Sequence, residues 1–108
     1  MKSWTVMVAA ALMPALAAAE TVRSDSLEAE MTRRAVSMPS DSGATIRGEQ
    51  VYVTMRRRDG QPIGAGELDG YVPFAERAAC KGRRVMVSLV TGASDGAGKY
   101  EVLCASGQ

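Results

Sequence analysis

The sequence predicts an α+β fold, in which a leading helix packs on a small antiparallel sheet of three or four strands and a second short helix follows. Three observations support this: an apolar stripe at helical spacing after residue 20, alternating strand patterns in the middle and at the end of the chain, and glycine-containing turns between them. A helix laid on an antiparallel sheet lets a short chain bury a core. A small five-stranded β-barrel is the alternative architecture.

The leading helix is predicted over residues 20–38. Its C-terminal part carries Arg33 and Arg34, where positive charge suits the helix dipole, and Pro39 follows as a stop. An amphipathic helix of this kind is expected to lie on a sheet, with a partner-binding helix as the alternative. The residues that form the apolar stripe are Leu27, Met31, Ala35 and Met38.

For the rest of the chain, the sequence predicts a loop followed by strands, turns and one helix. Asp59-Gly60 is a hairpin signal. Pro62 and the glycines that follow weaken the return strand at 61–68, so this segment is predicted to be an edge strand or irregular. The strand at 84–91 is apolar on both faces, which predicts a central position, and Asp95-Gly96 predicts an antiparallel pairing with the last strand. The predicted elements are loop 39–48, strand 50–57, edge strand 61–68, helix 74–81, central strand 84–91 and final strand 99–105.

Residues 1–19 have the three-part layout of a cleaved secretory signal peptide. A positively charged start precedes an apolar run at 5–16, and small residues then precede a cut between Ala19 and Glu20. The run is shorter than the about 20 apolar residues that a transmembrane helix needs, although an uncleaved N-terminal anchor is the alternative. No second long apolar segment follows, so no membrane span is predicted in the mature chain. The sequence therefore predicts a periplasmic or secreted protein whose single domain covers residues 20–108.

Cys80 and Cys104 are the only two cysteines. In an oxidising compartment, an even pair in a small domain predicts a structural disulfide, and the short spacing of redox-active pairs is missing. The bond would tie the short helix to the last strand. It would close a loop of about 25 residues, which is worth roughly 3 kcal/mol in the chain-entropy model.

Composition narrows the function classes. Once the charge of Lys2 is removed with the leader, acidic and basic side chains balance, which argues against a nucleic-acid partner. The chain contains no histidine, so Ser-His-Asp and Cys-His catalysis and histidine-bound metals are excluded. Two cysteines alone cannot build a structural zinc site. No cofactor or metal is therefore predicted.

Two sets of charged residues are candidate sites. Glu67 and Asp69, two apart near a predicted strand end, could serve a minimal carboxylate-dependent hydrolase. Arginines in two clusters could bind an anion through forked hydrogen bonds if the clusters meet in space. The members of those clusters that we assign to the candidate anion site are Arg56, Arg58, Arg83 and Arg84.

We expect an exported protein of binding or accessory type, with no identifiable catalytic site. Its partner would be a protein or an anionic component of the cell envelope. The hydrolase is one alternative. An inhibitor or small subunit of a periplasmic complex is the other, and it would show an exposed apolar patch or an open strand edge, which we expect at 62–68.

Overall fold

The computed structural model describes residues 19–106, in which a five-stranded antiparallel sheet carries a 3₁₀ helix and an α-helix on one face. The strand order is β1-β2-β3-β5-β4, so β1 and β4 form the two edges of an open sheet. The elements in chain order are β1 (Glu20–Arg23), β2 (Leu27–Pro39), β3 (Thr45–Arg57), the 3₁₀ helix (Ala65–Tyr71), α1 (Val72–Cys80), β4 (Val85–Ser94) and β5 (Ala97–Ala105).

The predicted leading helix is wrong, because residues 20–38 form the edge strand β1 and most of β2. A spacing of four residues satisfies the period of a strand as well as that of a helix, so Leu27 and Met31 share a face in either structure. Ala29 distinguishes a strand from a helix here. It is buried together with Leu27 and Met31, as the alternation of a strand requires. Long-range pairing with β3 has overridden a sequence of good helix formers.

Strands β2 and β3 form a long hairpin. Their register runs without interruption from Leu27 opposite Arg57 to Pro39 opposite Thr45. The connecting loop, 40–44, is closed by a hydrogen bond from the Ser40 amide to the Ala44 carbonyl at 2.9 Å. The predicted strand at 50–57 is therefore confirmed and begins earlier, at the expense of the predicted loop.

Of the two alternatives predicted for residues 61–68, the edge strand is wrong, because the segment is not part of the sheet. Asp59 and Gly60 do form a turn, in which Gly60 has φ +83° and Asp59 accepts a hydrogen bond from the Gln61 amide. The chain then leaves the sheet, because Pro62 and the following glycines suit a loop and a 3₁₀ helix better than a ladder. Ile63 from this loop packs into the core.

The second helix and the disulfide are confirmed. Helix α1 spans Val72–Cys80, with Pro73 in its first turn, where its missing N–H costs little. Lys81, directly after the helix, caps its C-terminus in the left-handed conformation with φ 53°. Cys80, the last helical residue, is bonded to Cys104 of β5, and their Cα atoms are 5.4 Å apart. Both cysteines are buried, so the bond joins the helix to the centre of the sheet.

The final hairpin is confirmed, but the position of its first strand is not as predicted. Asp95 and Gly96 have φ of 55° and 79°, as a two-residue turn between antiparallel strands requires. Strand β5, rather than β4, lies inside the sheet, and β4 is an edge. Because β1 and β4 lie at opposite edges and are not paired, the alternative of a closed five-stranded barrel is also wrong.

The core lies between the helical layer and one face of the sheet. Alternate residues of β2, β3 and β5 point into it, and α1 contributes a run of alanines that allows a close approach. The central residues of this core are Ala29, Met31, Val51, Val53, Met55, Ala75, Ala79, Tyr100 and Val102. The predicted signal peptide falls outside the described residues except for Ala19, so its cleavage before Glu20 stays a prediction.

Candidate interaction surface

The face of the sheet opposite α1, which we call the open face, is not covered by a helix in residues 19–106. Strand alternation places here the side chains that do not enter the core. Val36 and Met38 lie opposite Gly48 and Ile46, and Val87 lies opposite Leu103. The large apolar residues of the open face are Val36, Met38, Ile46, Tyr52, Met86, Val87, Leu89 and Leu103.

One group of the apolar side chains on the open face lies on and beside β4. A Cβ atom placed on Gly48 would lie 3.5 Å from Cδ1 of Leu103 and 3.7 Å from Sδ of Met86, so these two side chains extend over the glycine. Val87 and Leu89 continue the patch to the sheet edge, where they are 47% and 52% exposed. Exposed aliphatic groups that are contiguous in this way are typical of an interaction surface.

A polar ladder borders this apolar patch. Arg34 on β2 donates from Nη2 to Oε1 of Gln50 on β3 at 2.8 Å, and Nε2 of Gln50 donates to a carboxylate oxygen of Glu101 on β5. The three side chains satisfy one another across three strands. The ladder ends at Glu101, which lies opposite Leu89 of β4, so polar side chains border the apolar ones on the open face, as in an interface with a polar rim.

The outer edge of β4 pairs with no other strand of residues 19–106. Its ten residues, Val85–Ser94, include no charged residue and no proline. Natural sheet edges are usually short, charged or interrupted, because a free row of N–H and C=O groups pairs readily with another chain. The other edge follows that rule, since β1 has four residues and carries Glu20 and Arg23.

One residue of β4 is anchored on the helix side. The Ser88 hydroxyl donates a hydrogen bond to the Glu76 carboxylate of α1. Val90 also lies on that side, where it is 37% exposed. Two irregularities in the pairing with β5, between Val85 and Val87 and between Val90 and Gly92, leave a regular stretch from Val87 to Val90. The helical layer therefore holds β4 in place without covering its edge.

The structure does not bring the two arginine clusters together. Arg56 and Arg58 lie at the C-terminal end of β3, whereas Arg83 binds Glu49 near its start. Positions 49 and 56 on one strand are about 23 Å apart at about 3.3 Å per residue. Arg56, Arg58 and Arg83 also donate to backbone carbonyls, and Arg84 lies exposed just before β4.

Arg57, which lies between Arg56 and Arg58 in the sequence, also has a partner within the chain. Nη2 of Arg57 lies 2.5 Å from a carboxylate oxygen of Asp59, and this ion pair holds the pKa of Asp59 below its usual value. Arg57 and Arg58 border an open depression of about 290 Å³, which Asp25, Asp59 and Tyr71 also line. Two positive and two negative side chains line it, so it offers no concentrated charge for an anion.

The two candidate catalytic carboxylates do not form a buried pair. Glu67 and Asp69 are both exposed on the 3₁₀ helix. Oε1 of Glu67 accepts a hydrogen bond from the Gly64 amide at 2.9 Å, which caps the start of that helix. In the part of the chain that the structure describes, no group of three or more Asp, Glu or Cys residues is arranged to hold a metal ion.

Comparison of the chain with protein-family models, with curated proteins and with solved structures gives no match. Neither helix between residues 19 and 106 has the length and apolar content needed to cross a membrane. The function must therefore be argued from the surfaces of the molecule alone.

The β4 surface was not predicted, although the sequence of β4 contains a signal for it. A strand that is apolar on both faces is expected to be covered on both faces, and this pattern predicts a central position in the sheet. The same pattern arises when an edge strand is covered by a partner. Residues 62–68, where an open edge was expected, supply Ile63 and Leu68 to the core instead.

Proposed function

We propose that this protein is an exported binding or accessory protein that associates with another protein chain through β4. The interacting surface, which we call the β4 surface, comprises the outer edge of that strand and the adjoining side chains of Met86, Val87, Leu89 and Leu103. The observation that carries the proposal is the ten-residue edge strand without charge, which presents aliphatic side chains to solvent.

The chemistry of the β4 surface favours an extended polypeptide as its ligand. A free strand edge recognises a partner strand through backbone hydrogen bonds, and the alternate side chains contribute apolar contacts. The valines and leucine of β4 suit a pleated surface and lose little side-chain freedom on pairing. A glycan or phosphate would find few polar side chains along this strand, since it offers only Ser88, Thr91 and Ser94.

The arginines support a protein partner better than an anionic envelope component. Those of the two clusters are separated along the sheet, and three of the four candidates already donate hydrogen bonds within the chain. The free energy of binding an anion there would be reduced by the loss of these contacts. Likewise, the exposed Glu67 and Asp69 do not form the enclosed pair that a hydrolase requires.

Export is part of the proposal. It rests on the leader pattern of residues 1–19, and the disulfide between Cys80 and Cys104 is compatible with an oxidising compartment. In such a compartment the bond is retained and holds α1 against β5. Strand β5 in turn pairs with β4 and holds it in the sheet.

Site-specific photocrosslinking in the organism that produces the protein tests the proposal. The variant Leu89→p-benzoylphenylalanine places the reactive group on the β4 surface, and Thr32→p-benzoylphenylalanine is the matched control at an exposed position of β2. We expect an adduct with a polypeptide identified by mass spectrometry at position 89 only. A second change, Val87→Lys, should abolish it by placing a charge in the interface. Absence of a specific adduct at position 89, or equal labelling at both positions, would overturn the proposal.

A further inference from the structure

We infer that the chain bound at β4 is a second copy of this protein, which pairs its own β4 antiparallel to the first across a twofold axis. The inference rests on the proposed function and identifies its partner. Two five-stranded sheets joined in this way form one continuous sheet of ten strands. An isologous contact of this kind closes on itself, since each copy uses the same strand.

The charges that flank β4 are complementary under this symmetry. Arg84 precedes the strand and Asp95 follows it, and both side chains are exposed. Neither forms an ion pair within residues 19–106. Antiparallel self-pairing brings the start of each strand to the end of the other, so Arg84 of one copy approaches Asp95 of the second at both ends. A parallel arrangement would place like charges side by side.

Strand β4 of one copy can pair with β4 of a second copy without repulsion between like charges. Because Val85–Ser94 carries no charge, no register of self-pairing opposes like charges across the ladder. A partner with a charged strand would gain nothing from this neutral edge. Edge strands are usually protected by charges or proline, which β4 lacks. An equally neutral strand that covers this edge would explain why β4 needs no such protection.

The regular stretch of β4 indicates the centre of the contact. The pairing irregularities on either side leave Val87–Val90 with undisturbed geometry, and a twofold axis at Leu89 lies within it. Leu89 then faces Leu89 of the second copy on the open face, and each Val87 lies diagonal to the opposite Leu89. Directly opposed and diagonal aliphatic pairs both stabilise a sheet. The two apolar patches would merge into one at the middle of the joined sheet.

The oligomeric state of the natively processed protein, with its disulfide intact, tests this inference. We expect sedimentation equilibrium to give twice the chain mass, and Leu89→Lys to give the mass of one chain, because it opposes two ammonium groups at the axis. Thr32→Lys adds the same charge at an exposed position of β2 and should leave the dimer intact. Circular dichroism confirms that both variants fold. A monomer for the unmodified protein, or equal dissociation by both variants, would overturn the second copy as partner.

A crosslink tests the register. In Leu89→Cys the two new thiols face each other across the axis, and mild oxidation with diamide should link the chains. In Thr91→Cys the corresponding Cα atoms would be about 13 Å apart, beyond the about 7 Å that a disulfide allows, so no link should form. Linkage through Thr91→Cys and not through Leu89→Cys would overturn the proposed axis.

The two proposals fail in different ways. If the protein is a monomer and photocrosslinking at position 89 captures a different polypeptide, the β4 surface is an interface but not one between copies. If the protein is a monomer and position 89 captures no polypeptide, both proposals are overturned. A dimer whose photocrosslinked adduct is a second copy supports both.

Discussion

The guanidinium of Arg33, on strand β2, donates a hydrogen bond from Nη1 to the backbone carbonyl oxygen of Ala79, in the last turn of α1, at 2.6 Å. The last carbonyls of a helix lack partners inside the helix and carry partial negative charge. The guanidinium of Arg33 therefore provides a hydrogen-bond partner for a free carbonyl at the C-terminus of α1. The disulfide of Cys80 joins the same end of the helix to the sheet. Arg33 additionally contacts the carboxylates of Glu20 and Glu49, at 2.6 Å and 2.9 Å.

Replacing Arg33 should destabilise the fold strongly. Its side chain is only 11% exposed, and the change Arg33→Gln removes the charge that two carboxylates and the helix end share. We expect the free energy of unfolding to fall by about 2 kcal/mol, as for hydrogen bonds to a charged group. Urea unfolding followed by circular dichroism measures it. The neighbouring Arg34→Gln, at an exposed position, should change stability by less than about 0.5 kcal/mol. Equal effects of the two changes would contradict this role.

Stability should fall in acid because two carboxylates have lowered pKa values. The hydrogen bond from Arg33 lowers the pKa of Glu20 below its ordinary value of 4.5. Burial raises the pKa of Glu49, but hydrogen bonds from Arg83 and Arg33 outweigh it and lower the net value. As the pH falls below 4.5, the unfolded chain binds protons before the folded chain does. The stabilisation is therefore present above that pH and is lost as the pH falls through the folded-state pKa values.

The pH dependence can be assigned with matched variants. Urea unfolding between pH 3 and pH 6 should show a slope that is reduced in Glu49→Gln, which no longer titrates. Glu30→Gln, at an exposed position on the same sheet, should keep the slope of the unmodified protein. A slope that Glu49→Gln leaves unchanged would show that this carboxylate has no part in the acid transition.

The sequence predicted those elements in which local signals and long-range pairing agree. The final hairpin carries an apolar strand, an alternating strand and an Asp-Gly turn between them, and α1 carries a proline start and a glycine after its end. Its disulfide was predictable because only one pairing of two cysteines exists. Arg33 was predicted to lie in the last turn of a leading helix. It lies in β2 instead, where its guanidinium contacts the C-terminus of α1.

The remaining elements depend on partners distant in sequence. The identity of β2 follows from its pairing with β3, which no periodicity within 20–38 reveals, because the spacing of Leu27 and Met31 fits both structures. The edge position of β4 depends on β5 inserting beside β3. A two-sided apolar pattern shows that a strand needs cover, but not whether this chain or another one supplies it.

Loss of the disulfide should lower the free energy of unfolding by about 3 kcal/mol, given the 24-residue separation of Cys80 and Cys104. The double change Cys80→Ala with Cys104→Ala removes the bond without leaving a free thiol. A reductant provides the control, since it should destabilise the unmodified protein and leave the double variant unaffected. Equal unfolding midpoints in urea for the oxidised protein and the double variant would contradict a stabilising role.

The hydroxyl of Tyr100 should contribute to stability through one buried hydrogen bond. It donates to the Leu68 carbonyl at 2.7 Å, and burial raises its pKa to about 12. Tyr100→Phe leaves that carbonyl without its partner and should cost about 1 kcal/mol or more. Tyr52→Phe, on the open face, is the matched control and should have little effect.

The free energy of unfolding should also fall in alkali because of Tyr100. Because the folded-state pKa of Tyr100 lies above the ordinary value of 10.0, the unfolded chain loses its proton first as the pH rises. The stabilisation is complete below pH 10 and decreases as the pH rises toward the folded-state pKa of about 12. Unfolding measured from pH 9 to pH 11 should show a weaker decline for Tyr100→Phe than for the unmodified protein. Identical declines would exclude this tyrosine as the titrating group.

Gly48 should not tolerate a side chain, because β3 and β5 approach each other closely there. A Cβ atom at this position would lie 2.8 Å from the backbone carbonyl oxygen of Cys104, which cannot move without disturbing the strand pairing. Gly48→Ala should therefore lower the free energy of unfolding by about 1–3 kcal/mol, as overpacking does. Gly66→Ala is the control, since a Cβ there meets no atom within 4 Å. It should be neutral or slightly stabilising, because alanine restricts the unfolded chain. If both changes have the same effect on urea unfolding, the close approach at Gly48 does not determine its identity.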